Sequence, residues 1–143
     1  MSKKFLQGIF SAFLLVGMLF SLAQPVSAGK APEAAPQGLD KVEPAVFNTI
    51  DAKGASDYVV VLKEQADLSA AYSMPIAERR EYVYQTLKTT AERSQAPLKA
   101  YLDERGIKYQ SFFNGNEIAV TAGDLQSVTT LASRPEVQHI RYP

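Results

Sequence analysis

The period of hydrophobic and polar positions changes several times between residues 57 and 141, and each change marks an element. Residues 57–62 read Asp-Tyr-Val-Val-Val-Leu. An unbroken β-branched and aromatic run of this length predicts a strand covered on both faces. A different rhythm begins at Ile76, where Ile76, Val83, Leu87, Ala91, Ser94, Leu98 and Leu102 recur at helical spacing along one stripe. Ser73 is placed to cap this long helix, Pro75 is tolerated in its first turn, and Gly106 ends it. Pro97 lies inside the pattern and costs a helix about 3 kcal/mol by removing a donor and crowding a carbonyl. The stripe keeps its phase across Pro97, so one kinked helix is predicted rather than two.

Residues 107–141 supply the rest of the architecture. Ile107, Tyr109 and Phe113 alternate with polar positions, and Asn114-Gly115 separates them from a second β-rich run at 117–121. Asn-Gly between two such runs predicts a hairpin with a type I′ turn. Gly123-Asp124 opens a short helix with the stripe Leu125, Val128, Leu131 and Ala132, Arg134-Pro135 stops it, and 137–141 form a last strand. The order is β-α-β-β-α-β. It predicts an α+β, ferredoxin-like fold: a four-stranded antiparallel sheet with both helices on one face.

Such a sheet leaves its other face without cover from these helices. Tyr58 or Val59, Phe112, Ala119 and either His139 or Ile140 must point there in any register. Apolar residues on an uncovered sheet face mark an interaction surface, although small α+β domains also expose single aromatics.

Upstream the pattern differs. Lys3 and Lys4 precede an apolar run from Phe5 to Leu22, and Val26-Ser27-Ala28 follows. This is the layout of a secretory signal over residues 1–28, cleaved between Ala28 and Gly29; an uncleaved membrane anchor is the alternative, and Pro25 with the small-residue site favours cleavage. Residues 29–55 are rich in Ala and Pro and read as a flexible leader; Val46, Phe47 and Ile50 read as scattered hydrophobes in a tail, in preference to the alternative of a cluster docked loosely on the domain. The domain proper is expected over 56–143. The formal charge of the whole chain is zero and cysteine is absent, so an exported protein of this kind depends on its core alone. With no block of positive charge, neither nucleic acid nor an anionic membrane surface is an expected partner.

Little in the chain supports catalysis. His139 is the only histidine, no serine sits in a G-x-S-x-G turn, no residues have the spacing of a zinc or calcium site, and the glycines are isolated turn or cap residues. No enzyme activity and no cofactor are expected. Arg79-Arg80 beside Glu78 and Glu81 reads as solvated ion pairs, and Tyr72, Tyr82, Tyr84 and Tyr101 as packing at the edge of the core.

Taken together, the Val-Val-Val-Leu first strand, the long helix, Ile107-Lys108-Tyr109-Gln110-Ser111-Phe112-Phe113-Asn114-Gly115, the helix ending Leu131-Ala132-Ser133-Arg134-Pro135, and Glu136-Val137-Gln138-His139-Ile140 resemble the inhibitor I9 propeptide of subtilisin-like serine proteases, particularly the larger exported bacterial ones. The resemblance spans about residues 57–142 and rests on order and export signal, since no single motif is diagnostic. It implies a secreted protein that acts as an intramolecular chaperone and inhibitor of a subtilisin-like protease, in cis or in trans. In that family the open sheet face lies on two surface helices of the protease, and the segment after the last strand enters the active-site cleft. The implied contact residues are Phe112, Ala119, His139, Arg141, Tyr142 and Pro143.

Two departures qualify the likeness. Family members often carry acidic residues late in the last strand, where this chain has Arg141-Tyr142-Pro143. The sequence also ends short of the usual cleavage junction and holds no protease domain, which implies either a truncated precursor or a stand-alone domain. The competing expectation is a small secreted ferredoxin-like module that binds a ligand or dimerises through its sheet.

Overall fold

The computed structural model describes residues 37–143. The expected signal segment, its Ala28–Gly29 junction and the start of the 29–55 leader lie outside the described residues. Within them the elements run α1 (Pro44–Lys53), β1 (Ser56–Leu62), α2 (Ile76–Glu104), β2 (Tyr109–Phe112), β3 (Glu117–Gly123), α3 (Leu125–Ser133) and β4 (Val137–Arg141), with short 3-10 turns at Leu39–Lys41 and Ser69–Ser73. The four strands form one antiparallel sheet in the order β2-β3-β1-β4. This is the ferredoxin-like order, with α1 added in front of it.

The core fills one side of the sheet. Tyr58, Val60 and Leu62 of β1, Ile118 and Val120 of β3, and Val137 and Ile140 of β4 meet Leu98 and Leu102 of α2 and Val128, Leu131 and Ala132 of α3. Alternation along β1 sends Val59 and Val61 to the opposite face.

Val42, Val46 and Ile50 belong to the same core, which overturns the flexible-leader reading for residues 37–55 and raises the number of helices behind the sheet from two to three among the described residues. Pro44 occupies the first turn of α1, where its fixed φ suits a helix start, and Gly54 ends the helix at φ 80, its N–H donating to Ile50 O at 2.7 Å. Val42, Val46 and Ile50 are spaced four apart, so one face of the segment is apolar enough to dock even though the neighbouring composition is leader-like. Truncating Ile50 to alanine is expected to lower the unfolding free energy by about 2–4 kcal/mol, the cost of a core deletion. Urea denaturation checks this; a tail residue would change it by less than about 0.5 kcal/mol.

Helix α2 runs unbroken through Pro97 as one helix, as the phase of its stripe predicts. Its start differs from expectation: Pro75 is the N-cap, and the Ser73 hydroxyl donates instead to Ala70 O in the preceding 3-10 turn. Buried positions begin only at Thr90, and Ile76 is 68% exposed. Length explains this. A helix of 29 residues extends roughly 43 Å, whereas the seven-residue strands reach about 23 Å, so nearly half of α2 must project past the sheet.

The β2–β3 connection also departs from the predicted type I′ turn. Phe112 pairs with Glu117 across a four-residue loop, and the left-handed residue is Asn116 at φ 48 rather than Gly115. Tertiary hydrogen bonds dictate the shape. Asn116 is buried, its Nδ2 donates to Glu64 O at 2.6 Å and to Ser94 Oγ at 2.9 Å, and its Oδ1 accepts from Gln95 Nε2 at 3.0 Å. Helix α3 opens as predicted, with Asp124 Oδ1 accepting from Ser127 N at 2.7 Å. That backbone N–H, helped by the Ser127 hydroxyl and Arg105, holds the Asp124 carboxyl below its usual range.

A candidate binding face on the open sheet

The side of the sheet away from the helices is built from two cross-strand rows. Phe112, Glu117, Val61 and His139 form one, and Gln110, Ala119, Val59 and Arg141 the other, because these residues are directly paired between β2, β3, β1 and β4. Facing residues in adjacent antiparallel strands bring their Cβ atoms to about 5 Å, so each row is a continuous surface.

The two rows are joined by an ion pair that crosses the central strand. Arg141 Nη2 on β4 donates to Glu117 Oε2 on β3 at 3.2 Å, passing over β1. Val59 and Val61, at 8% exposure each, are therefore screened by the stems and head groups of neighbours in the sheet rather than by a second layer. The unbroken apolar run in β1 predicts a strand covered on both faces; on this side the cover is the sheet's own side chains. Both charged side chains remain partly solvated, which keeps the pair's net contribution small.

Beside the ion pair lies a shallow groove of about 570 Å³. Val59 and Ala119 lie along it, Phe112, Asn114 and Gly115 border it on the β2 side, and Arg141 and Pro143 border it on the β4 side. Phe112 is 37% exposed and Phe113 41% exposed. The latter leans edge-on against Tyr84 of α2, ring centroids 5.6 Å apart, and belongs to the rim of the helix layer.

Of the six contact residues expected from sequence, the structure brings five to this face: Phe112, Ala119, His139, Arg141 and Pro143. Tyr142 goes elsewhere. As the alternating residue between Arg141 and Pro143 it borders a cleft with Thr49, Lys53 and Ala55, on the side where α1 packs. Glu117 and Val61 were not foreseen as members of the face, and Val59 only as the alternative to Tyr58. The period of two carries the missing signal: Glu117 precedes Ala119 by two residues, and Val61 follows Val59 by two.

The chemistry of the face suits recognition more than reaction. It offers small apolar side chains along a groove, an aromatic rim and one neutralised charge pair. Among the described residues, no group of three or more His, Cys, Asp or Glu side chains is placed to hold a metal ion, and no helix is long and apolar enough to cross a membrane. Comparison of the chain with protein-family models, with curated proteins and with solved structures finds no match.

Proposed function

We propose that this chain is a propeptide-type chaperone and inhibitor of a secreted subtilisin-like serine protease, binding the protease through the open sheet face. The observation that carries the reading is that, among the described residues, three helices pack behind a ferredoxin-like sheet whose front holds the Val59–Ala119 groove. It agrees with the resemblance of residues 57–142 to inhibitor I9 propeptides and with the export signal read at 1–28. The chain itself then carries no catalytic role.

The physics of such a partner is direct. A domain that binds the folded protease and not its unfolded chain stabilises the folded form by mass action, which assists folding. A chain segment leaving the sheet in extended form can add to the substrate cleft by strand pairing, which inhibits. The groove is wide and shallow, so it fits a broad protein surface such as a pair of helices better than a compact small molecule.

Mixing the full chain with secreted bacterial subtilisins, active or denatured in acid, tests the proposal. Slower peptide hydrolysis and a higher yield of refolded protease are expected. Ala119→Arg, which places a long charged side chain in the middle of the face without touching the core, is expected to weaken both effects about tenfold or more. Absence of both effects with every protease tried would sink the proposal. A concentration-dependent homodimer abolished by the same substitution would assign the face to a second copy of this chain instead.

A further inference from the structure

The outer edge of β4 is where the sheet meets the segment before α1. Edge strands ordinarily present unpaired N–H and C=O groups. Here Val42 bridges Ile140 in the parallel sense, and Glu43 N donates to Ile140 O at 2.9 Å. In a parallel ladder the next bond would run from Tyr142 N to the carbonyl of Glu43 itself. That carbonyl is diverted into the helix start, where it accepts from Val46 N at 3.0 Å. The Glu43 carboxylate takes its place, Oε2 accepting from Tyr142 N at 3.0 Å.

This division of labour accounts for an otherwise poor choice of residue. Glu43 is the N-cap of α1, a position that favours Ser, Thr, Asp or Asn, and its side chain makes no capping bond. It reaches the sheet instead. The segment is anchored from the other side by Lys41, whose Nζ donates to Ala132 O and Arg134 O, each at 3.0 Å, closing the C-terminus of α3. Gly38 lies so close to α3 that a Cβ there would stand 2.3 Å from Ala132 O.

We infer that Glu43 is a positioning residue: it clamps Tyr142 in line with β4 and thereby sets the direction in which the chain leaves the sheet, with Pro143 held at the border of the groove. The clamp stands on its own geometry. Its use, presentation of the segment after β4 to a protease, rests on the function proposed above.

Glu43→Ser in the full chain tests it, because serine can cap α1 but is too short to reach Tyr142. The thermal midpoint is expected to be unchanged or raised, while amide exchange at Tyr142, followed by NMR, accelerates about tenfold or more. Glu43→Gln, which keeps the acceptor oxygen, should retain most of the protection. Against a subtilisin, Glu43→Ser should weaken inhibition several-fold and leave the refolding yield of the protease unchanged. Unaltered Tyr142 exchange in Glu43→Ser would overturn the clamp. Faster exchange with unaltered inhibition would overturn its presenting role. If the wild-type chain neither inhibits nor assists any protease, the proposed function fails while the exchange result still decides the clamp.

Discussion

Asn116→Ala is expected to unfold at a free energy about 3–4 kcal/mol below that of the wild type. The residue is 3% exposed and ties three parts of the chain together: the segment after β1 through Glu64 O, α2 through Ser94 and Gln95, and the β2–β3 loop through its own backbone. Its main-chain oxygen also accepts from Leu62 N at 3.2 Å. Removing the side chain takes the donor from the part-buried bond to Glu64 O, leaves the buried Ser94 hydroxyl without its Asn116 partner, and takes one acceptor from Gln95, which is 1% exposed and also donates to Phe112 O. Each buried polar group left unpaired costs about 1–3 kcal/mol. Alanine must further hold φ near +48, at roughly 1 kcal/mol. Asn116→Gly removes that backbone cost and keeps the lost hydrogen bonds, so it should recover about 1 kcal/mol relative to alanine. Urea denaturation of both variants measures this. An alanine variant within 1 kcal/mol of the wild type, or a glycine variant no better than alanine, would contradict the account.

The same loop shows where sequence reasoning reaches its limit. Asn114-Gly115 between two β runs signals a reversal, and the chain does reverse there. Local preference favours a two-residue turn, yet the partners that impose a four-residue one, Ser94, Gln95 and Glu64, are distant in sequence and invisible to a local rule. The open face was legible because the period of two along 117–121 and 137–141 can bury only one face; Phe112 and Ala119 follow from it, while the choice between His139 and Ile140 does not. Helix α1 was not, although its marks are present in Pro44, Gly54 and the Val42–Val46–Ile50 spacing. A ten-residue helix has little stability of its own and forms by packing, and the Ala/Pro-rich surroundings outweighed that short stripe. The overhang of α2 escaped for a related reason, since an apolar stripe reports which face is available for burial and not whether a sheet extends beneath it.

Gly123→Ala is expected to cost about 2–3 kcal/mol, a large effect for one methyl group. Backbone freedom is not the reason, because the left-handed residue at this corner is the preceding Ala122, at φ 51. Space is. A Cβ on Gly123 would stand 2.5 Å from Tyr58 Cε1, 2.6 Å from its hydroxyl oxygen and 2.8 Å from Cζ. The ring cannot swing aside. Tyr58 is fully buried, its hydroxyl donates to Ser127 Oγ at 2.9 Å, and burial pushes the phenol well above its ordinary pKa. Ser127 is itself committed, donating from its hydroxyl to Asp124 O and from its N–H to Asp124 Oδ1. The methyl group must therefore displace the end of β3 from the start of α3, or move the ring and break the Tyr58–Ser127 bond. A double-mutant cycle with Tyr58→Leu separates steric conflict from general fragility. Leucine alone should destabilise, since it vacates the space of the ring and leaves Ser127 Oγ without its donor. Adding Gly123→Ala to that variant should then cost less than it does in the wild type, by about 1–2 kcal/mol of coupling, because the atoms it would strike are gone. Additive costs would mean that glycine is required here for some reason other than the ring packed against it.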